Sequence, residues 1–309
     1  MIAALALGCS NGIGDGPALP DGAPLPANCN DGMQNGDETD LDCGGSCDVC
    51  SDGLGCAAPS DCQSGLCPAG TCTLAANCNQ ILMAGENLAS GVYPLQPGSE
   101  RIDAFCDMTT SGGGWTLLAR LDSAGTAFAF DSLLWTTPAI LNDDQLAPIV
   151  DVASGVEAKL RAFNQVAGAE LRVQFVDPAV EFVFPDVGGV TALELFAGPE
   201  ILVAGNEGDA CNGDQLSAAA GFDPATMRHA RGHQFYGVNG SDNGADGVKQ
   251  LRFGFASNDE PTNSWFARQA IGSNTASAVW NGQNDCSECG GCYGTLYEPA
   301  QTAVNVWMR

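Results

Sequence analysis

Cys106-Asp107-Met108-Thr109-Thr110-Ser111-Gly112-Gly113-Gly114-Trp115-Thr116-Leu117 reads as a strand, a bend made of glycine and a second strand. Upstream, Ile102, Ala104, Cys106 and Met108 alternate on one face, and downstream Trp115-Thr116-Leu117-Leu118 resumes a bulky extended pattern. Glycine loses more backbone freedom on ordering than any other residue. Three in a row are therefore expected only where the chain takes positive φ or passes close against another backbone.

The block is preceded by Asn77-Cys78-Asn79-Gln80-Ile81-Leu82, then Ser90-Gly91-Val92-Tyr93-Pro94-Leu95-Gln96-Pro97, then Phe105-Cys106-Asp107-Met108. In order and spacing this resembles the opening of fibrinogen-like C-terminal domains, in the version found in intelectins. The resemblance implies an α+β domain over residues 77–309 with a small twisted antiparallel sheet, few helices and many loops. It also implies a Cys78–Cys106 bridge, whose loop closure would remove roughly 3.5 kcal/mol of unfolded-state freedom.

Further along, Val156, Leu160 and Phe163 fall on one helical face. Leu171, Val173 and Phe175 alternate with Arg172 and Gln174, and Leu193 and Leu195 flank Glu194, as half-buried strands do. These patterns indicate a core and carry no chemistry.

With 45% apolar residues in 309, the chain can bury a real core. Eleven Lys and Arg against 37 Asp and Glu give a net charge of −26, and the first basic residue is Arg101. Such a surface repels phosphate backbones and anionic headgroups, so nucleic acid is a poor partner. Divalent cations are favoured, although the acidity also serves solubility alone.

The 15 cysteines fall into Cys9 alone, eight from Cys29 to Cys72, and six comprising Cys78, Cys106, Cys211, Cys286, Cys289 and Cys292. Two even sets predict two disulfide-bonded units in an oxidising compartment. Cys286-x-x-Cys289-x-x-Cys292 would elsewhere read as a redox or metal motif, but with Cys211 it completes the even set as disulfides.

Residues 1–27 read as an export signal and flexible linker. The apolar start ending at Gly8-Cys9-Ser10 looks like the tail of a bacterial lipoprotein signal, with Cys9 the lipidated residue, or like part of an ordinary signal peptide. Either way the protein is exported, as a surface lipoprotein or secreted, and meets a membrane only through that anchor.

Residues 28–73 form a cysteine module with too little apolar content to offset its ordering entropy, which four disulfides can. The run Asn35-Gly36-Asp37-Glu38-Thr39-Asp40-Leu41-Asp42-Cys43-Gly44-Gly45 resembles short Cys-rich repeats of secreted and surface proteins of myxobacteria. Asp31, Asp37, Asp40 and Asp42 offer oxygens at short intervals that suit a Ca²⁺ site or, in preference, turn residues satisfying their own backbone.

In the last third, Gly232-His233-Gln234-Phe235-Tyr236-Gly237, Leu251-Arg252-Phe253-Gly254-Phe255 and Val304-Asn305-Val306-Trp307-Met308-Arg309 follow the intelectin order. That resemblance implies a lectin whose Ca²⁺ is coordinated by a sugar diol. It points to Asn284, Glu288 and Glu298 as metal ligands and to Trp280, Tyr293 and Tyr297 as walls of a sugar site. Read from the residues themselves, Asp242, Asp246, Asn258, Asp259 and Glu260 make a second acidic, glycine-containing cluster. It suits either a Ca²⁺ loop or a solvated turn.

His229 and His233 lack the Glu of a zinc hydrolase, and neither Gly-x-Ser-x-Gly nor a phosphate loop occurs. The expectation is a non-enzymatic binder of glycans or surface polysaccharide. The competing expectation is a structural or adhesive module that contacts other surface proteins and uses Ca²⁺ only to stabilise loops.

Overall fold

The computed structural model describes residues 28–84, 88–177, 179–206, 234–244, 247–259, 264–273, 279–281 and 302–309. The chain divides into two compact units, Met1–Thr73 and Leu74–Arg309.

In the first unit the eight cysteines pair as Cys29–Cys47, Cys43–Cys50, Cys56–Cys67 and Cys62–Cys72. Each successive group of four is interleaved, first with third and second with fourth. The apolar residues buried among the described part of this unit are the cysteines themselves, so sulfur takes the place of a hydrocarbon core.

Carboxylates do the remaining work. Asp61 is buried and accepts from the amides of Ala57, Ala58 and Gly45, tying the two groups of four together. Asp40 accepts from Gly55 and Leu41, and Asp42 from Asp31 and Gly32. Gly44 and Gly45 have positive φ, and a Cβ on Gly45 would lie 2.1 Å from the Asp37 carbonyl oxygen. The Cys-Gly-Gly run is thus a steric requirement.

The second unit opens with α1 (Cys78–Ala84), β1 (Gly91–Leu95), β2 (Ile102–Asp107) and β3 (Trp115–Asp122). It continues with β4 (Ala158–Lys159), α2 (Arg161–Gln165), β5 (Ala167–Phe175), β6 (Val180–Thr191) and α3 (Ala192–Ala197). Then come β7 (Ile201–Asn206), β8 (Gln234–Val238), β9 (Ser241–Gly244), β10 (Gly247–Gln250), β11 (Phe253–Asp259), β12 (Ser264–Ile271), β13 (Val279–Asn281) and β14 (Ala303–Met308).

Among the described residues these strands form three antiparallel sheets. One is seven-stranded in the order β1-β2-β3-β14-β5-β6 with β4 on β3, one is five-stranded in the order β13-β12-β11-β8-β7, and β9-β10 is a separate hairpin. Antiparallel sheets with few, short helices are what the resemblance implies. The centre of the seven-stranded sheet is β14, bonded to β3 on one side and β5 on the other, with all six residues buried.

The glycine bend does both things such a run allows. Gly112, Gly113 and Gly114 all have positive φ, a Cβ on Gly113 would lie 2.2 Å from the Met108 carbonyl oxygen, and one on Gly114 would lie 2.9 Å from Asn79 Cα. The bend therefore packs directly under α1, and the Cys78–Cys106 disulfide holds α1 to β2.

Two periodicity readings are corrected. Leu193-Glu194-Leu195 lies in helix α3, because Thr191 and Glu194 form a capping box: the Thr191 hydroxyl accepts from the Glu194 amide and the Glu194 carboxylate accepts from the Thr191 amide. The helical face expected from Val156 begins only at Arg161, since Ala158 and Lys159 pair with β3 and Val156 is exposed.

Candidate functional site

The opening stretch and the final strand meet around one buried cation. Arg172 is 0% exposed, and its Nη2 donates to Asp107 Oδ2 at 2.8 Å. Its guanidinium lies 4.9 Å from the Trp115 ring centre and 4.6 Å from that of Trp307. A planar, weakly hydrated cation stacks well on indole, and the stacking offsets part of the loss of water.

Asp107 is held from several directions. Its Oδ1 accepts from the amides of Thr109 and Thr110 at 3.1 and 3.0 Å, and from the Ser90 hydroxyl. Burial pushes its carboxyl up, but the Thr110 amide, the Arg172 guanidinium and the Thr109 amide outweigh that and hold it below the usual carboxylate range. Around the rim, Arg309 lies 4.3 Å from the centre of the Trp115 ring, pairs with Glu170 and donates to the Ser111 and Gly113 carbonyls. Glu181 accepts from Ser111 and stands 3.7 Å from Arg172 Nη1.

Beside this node the surface opens into a cleft of about 380 Å³, lined among others by Asp107, Val150, Gln174, Phe175, Asn305 and Trp307. Asn305 is itself fixed: its Nδ2 donates to the Ile149 carbonyl at 2.8 Å, and its Oδ1 accepts from the Ile149 amide at 2.8 Å.

A second cation anchors the other end of the unit. Arg252 donates to the carbonyls of Phe130 and Phe196 and to Asn239 Oδ1, and it covers the Phe130 ring at 4.3 Å. Asn239, at positive φ, donates to the Leu195 and Gly198 carbonyls. These bonds lock the start of β11 to the helix end that precedes β7.

The predicted metal residues are distributed as follows. Asp242 sits in β9 across from Lys249, Asn258 and Asp259 end β11 with Asp259 across from Ser264, and Trp280 is in β13 across from Ala270. Asp246, Glu260, Asn284, Glu288, Glu298, Tyr293, Tyr297, Cys211, Cys286, Cys289, Cys292, His229, His233 and Cys9 lie outside the described residues. Of the predicted disulfide set, Cys78 and Cys106 are bonded to each other.

In the first unit, Cys56, Cys62 and Cys72 cluster, as do Cys29, Glu38 and Cys47. All of those sulfurs are in disulfides, and Asp40, Asp42 and Asp61 are committed to amides, so this donor set does not fit a cation. What the sequence reading missed is the Asp107–Arg172 pair and its two indoles. The signal was Arg172 itself, a lone cation between two apolar strand positions.

Part of this node, the segment that holds β1 to β3, has known counterparts. Residues 74–132 match the family model of the fibrinogen beta and gamma chains, C-terminal globular domain. The chain is 44% identical over 55 residues to tenascin-R of Homo sapiens, covering 17% of this chain and 4% of that protein. It is 50% identical over 46 residues to angiopoietin-related protein 7 of Mus musculus, covering 14% of each. It is 41% identical over 54 residues to angiopoietin-2 of Canis lupus familiaris, covering 17% and 11%.

The chain thus spans between 4% and 14% of the length of these relatives. Among solved structures, the fibrinogen-like globe domain of human ANGPTL6 is similar at a TM-score of 0.30 and 15% identity, covering 78% of this chain and 97% of that one. That likeness is too loose to rest the fold on. Fibrinogen C-terminal domains are non-enzymatic and typically serve as extracellular binding modules. Five disulfides among the described residues agree with an oxidising exterior.

Proposed function

We propose that this protein is an exported, surface-anchored or secreted lectin of the intelectin type, and that Ca²⁺ supports its recognition of glycans. The fibrinogen-type segment at residues 74–132 carries the reading, because its family supplies extracellular binding modules that often hold Ca²⁺. A hard cation takes six to eight oxygens, so two sugar hydroxyls can complete a shell begun by carboxylates.

Asp242, Asp246, Asn258, Asp259, Glu260, Asn284, Glu288 and Glu298 supply the candidate oxygens, and Trp280, Tyr293 and Tyr297 the aromatic walls. Cys9 is the proposed lipid attachment, with the 28–73 module as a bacterial-type spacer from the surface.

Glycan-array binding of the full chain tests the reading. Spots lost in EDTA and restored by Ca²⁺ are expected. Binding to no sugar under either condition overturns it in favour of an adhesive protein contact, to which the exposed Met33, Leu41 and Val49 of the first unit are suited.

A further inference from the structure

We infer that the cleft beside the Asp107–Arg172 pair is a second, metal-independent binding site for a neutral hydroxyl-rich ring, a single pyranose sugar or the terminal unit of a chain. Its volume of about 380 Å³ lies within the range of small-molecule sites and admits a ligand of roughly one or two such rings. The inference does not depend on the Ca²⁺ reading, whose candidate residues are not among those lining the cleft.

The lining selects the ligand class in three ways. Charge comes first: Asp107 is matched by Arg172 and saturated by the donors from Ser90, Thr109 and Thr110, and no Lys or Arg is among the lining residues. A phosphate or carboxylate would find no counter-charge there, and a cation would find a carboxylate already engaged.

Polarity comes second. Val150, 81% exposed, and the half-buried Val176 offer apolar surface over the buried Ile149 and Phe175, while Thr109, Thr110 and Gln174 present hydroxyls and an amide. Apolar and hydrogen-bonding surfaces side by side suit a molecule with C–H faces and hydroxyl edges, whereas an aliphatic ligand would leave the polar groups unmatched.

The third is an unmet donor. Trp307 lines the cleft and is buried, and its indole N–H has no acceptor among the described residues. Buried N–H groups are seldom left so; this one has almost no accessible surface, so an acceptor oxygen in the cleft reaches it only with a small shift of that wall and would then supply the partner.

The test uses the full chain in EDTA, ¹⁵N-labelled at tryptophan, titrated singly with the methyl glycosides of glucose, galactose and mannose and with N-acetylglucosamine. A saturable shift of the Trp307 indole resonance, assigned through Trp307→Phe, is expected with at least one of the four. It should be lost in Ala179→Trp, which fills the cleft from an exposed lining position. Val150→Trp serves the same purpose should that variant fail to fold.

No shift with any of the four overturns the proposal. So does a shift that persists in a folded filled-cleft variant, or one that appears only once Ca²⁺ is restored. Calcium-dependent array binding with no shift in EDTA would leave the lectin reading standing while removing this site.

Discussion

Arg172 and Lys159 are both completely buried cations, and they differ in what faces them. Arg172 has a carboxylate at 2.8 Å and two indole faces. Removing one partner of such a pair leaves the other charge desolvated, at a cost on the order of 3–5 kcal/mol. Arg172→Leu is accordingly expected to lower urea-unfolding stability by roughly 3 kcal/mol at pH 7.

The acid limb follows from Asp107. Its folded pKa is depressed, so its contribution is present above the unfolded value of about 3.9 and is lost as pH falls through the folded one. In Arg172→Leu the decline in stability below pH 4 should be shallower than in the parent.

Lys159 has no carboxylate. Its Nζ donates to the Thr137 carbonyl and sits 4.6 Å from the Phe163 ring centre, and burial lowers its pKa to about 8. Between about pH 8 and its unfolded value near 10.4 the unfolded chain binds the extra proton, so stability rises with pH in that window. Lys159→Met is expected to raise the unfolding free energy at pH 7 by about 1 kcal/mol or more, read as a higher urea midpoint, and to abolish the alkaline gain. An unchanged pH profile in the variant would contradict the assignment.

Among the elements, the glycine bend sets the tightest tolerance. Gly113 combines φ of +72° with a Cβ position 2.2 Å from the Met108 carbonyl oxygen, whereas Gly188 has φ of +84° with open space around it. Gly188→Ala should cost about 1–2 kcal/mol for conformation alone, and Gly113→Ala distinctly more because backbone must move. Equal thermal shifts for the two would show that the bend relaxes.

This bend was legible in the sequence because three glycines admit few explanations, and the alternation at 102–108 was equally plain. Helix α3 was hidden by a short apolar-polar-apolar triplet, although Thr191 and Glu194 spelled out its cap. Arg172 was passed over as a core residue because alternation presumes one solvated sheet face, and here β5 has both faces covered around that position. The candidate cleft is assembled from β2, β5, β14 and the loop at 148–150, which no local window joins.

For the molecule as a whole, the two units respond differently to loss of their cross-links. The first has no buried apolar side chain among its described residues other than cysteine, so reduction removes both its core and its loop constraints. Thiol reductant should unfold it completely, seen as loss of protease resistance in residues 28–73. The second keeps a cluster of Trp135, Phe128, Phe163 and Phe196 and a seven-stranded sheet, and its Cys78–Cys106 bridge spans 28 residues. A Cys78→Ala, Cys106→Ala double variant should lose about 3.5 kcal/mol yet remain folded. Collapse of the second unit in that variant would mean that the bridge does more than limit the unfolded chain.

The central place of β14 has a consequence in time. Its partners β3 and β5 leave the ribosome long before it does, and Thr302 bonds to Ser123 across a sequence separation of 179 residues. Until residues 303–308 arrive, the nascent sheet has a gap at its middle with two unprotected strand edges facing it, a state open to mispairing. A nascent polypeptide of this kind stays open until β14 has been made, and whatever shields those edges meanwhile governs how much of it is recovered intact.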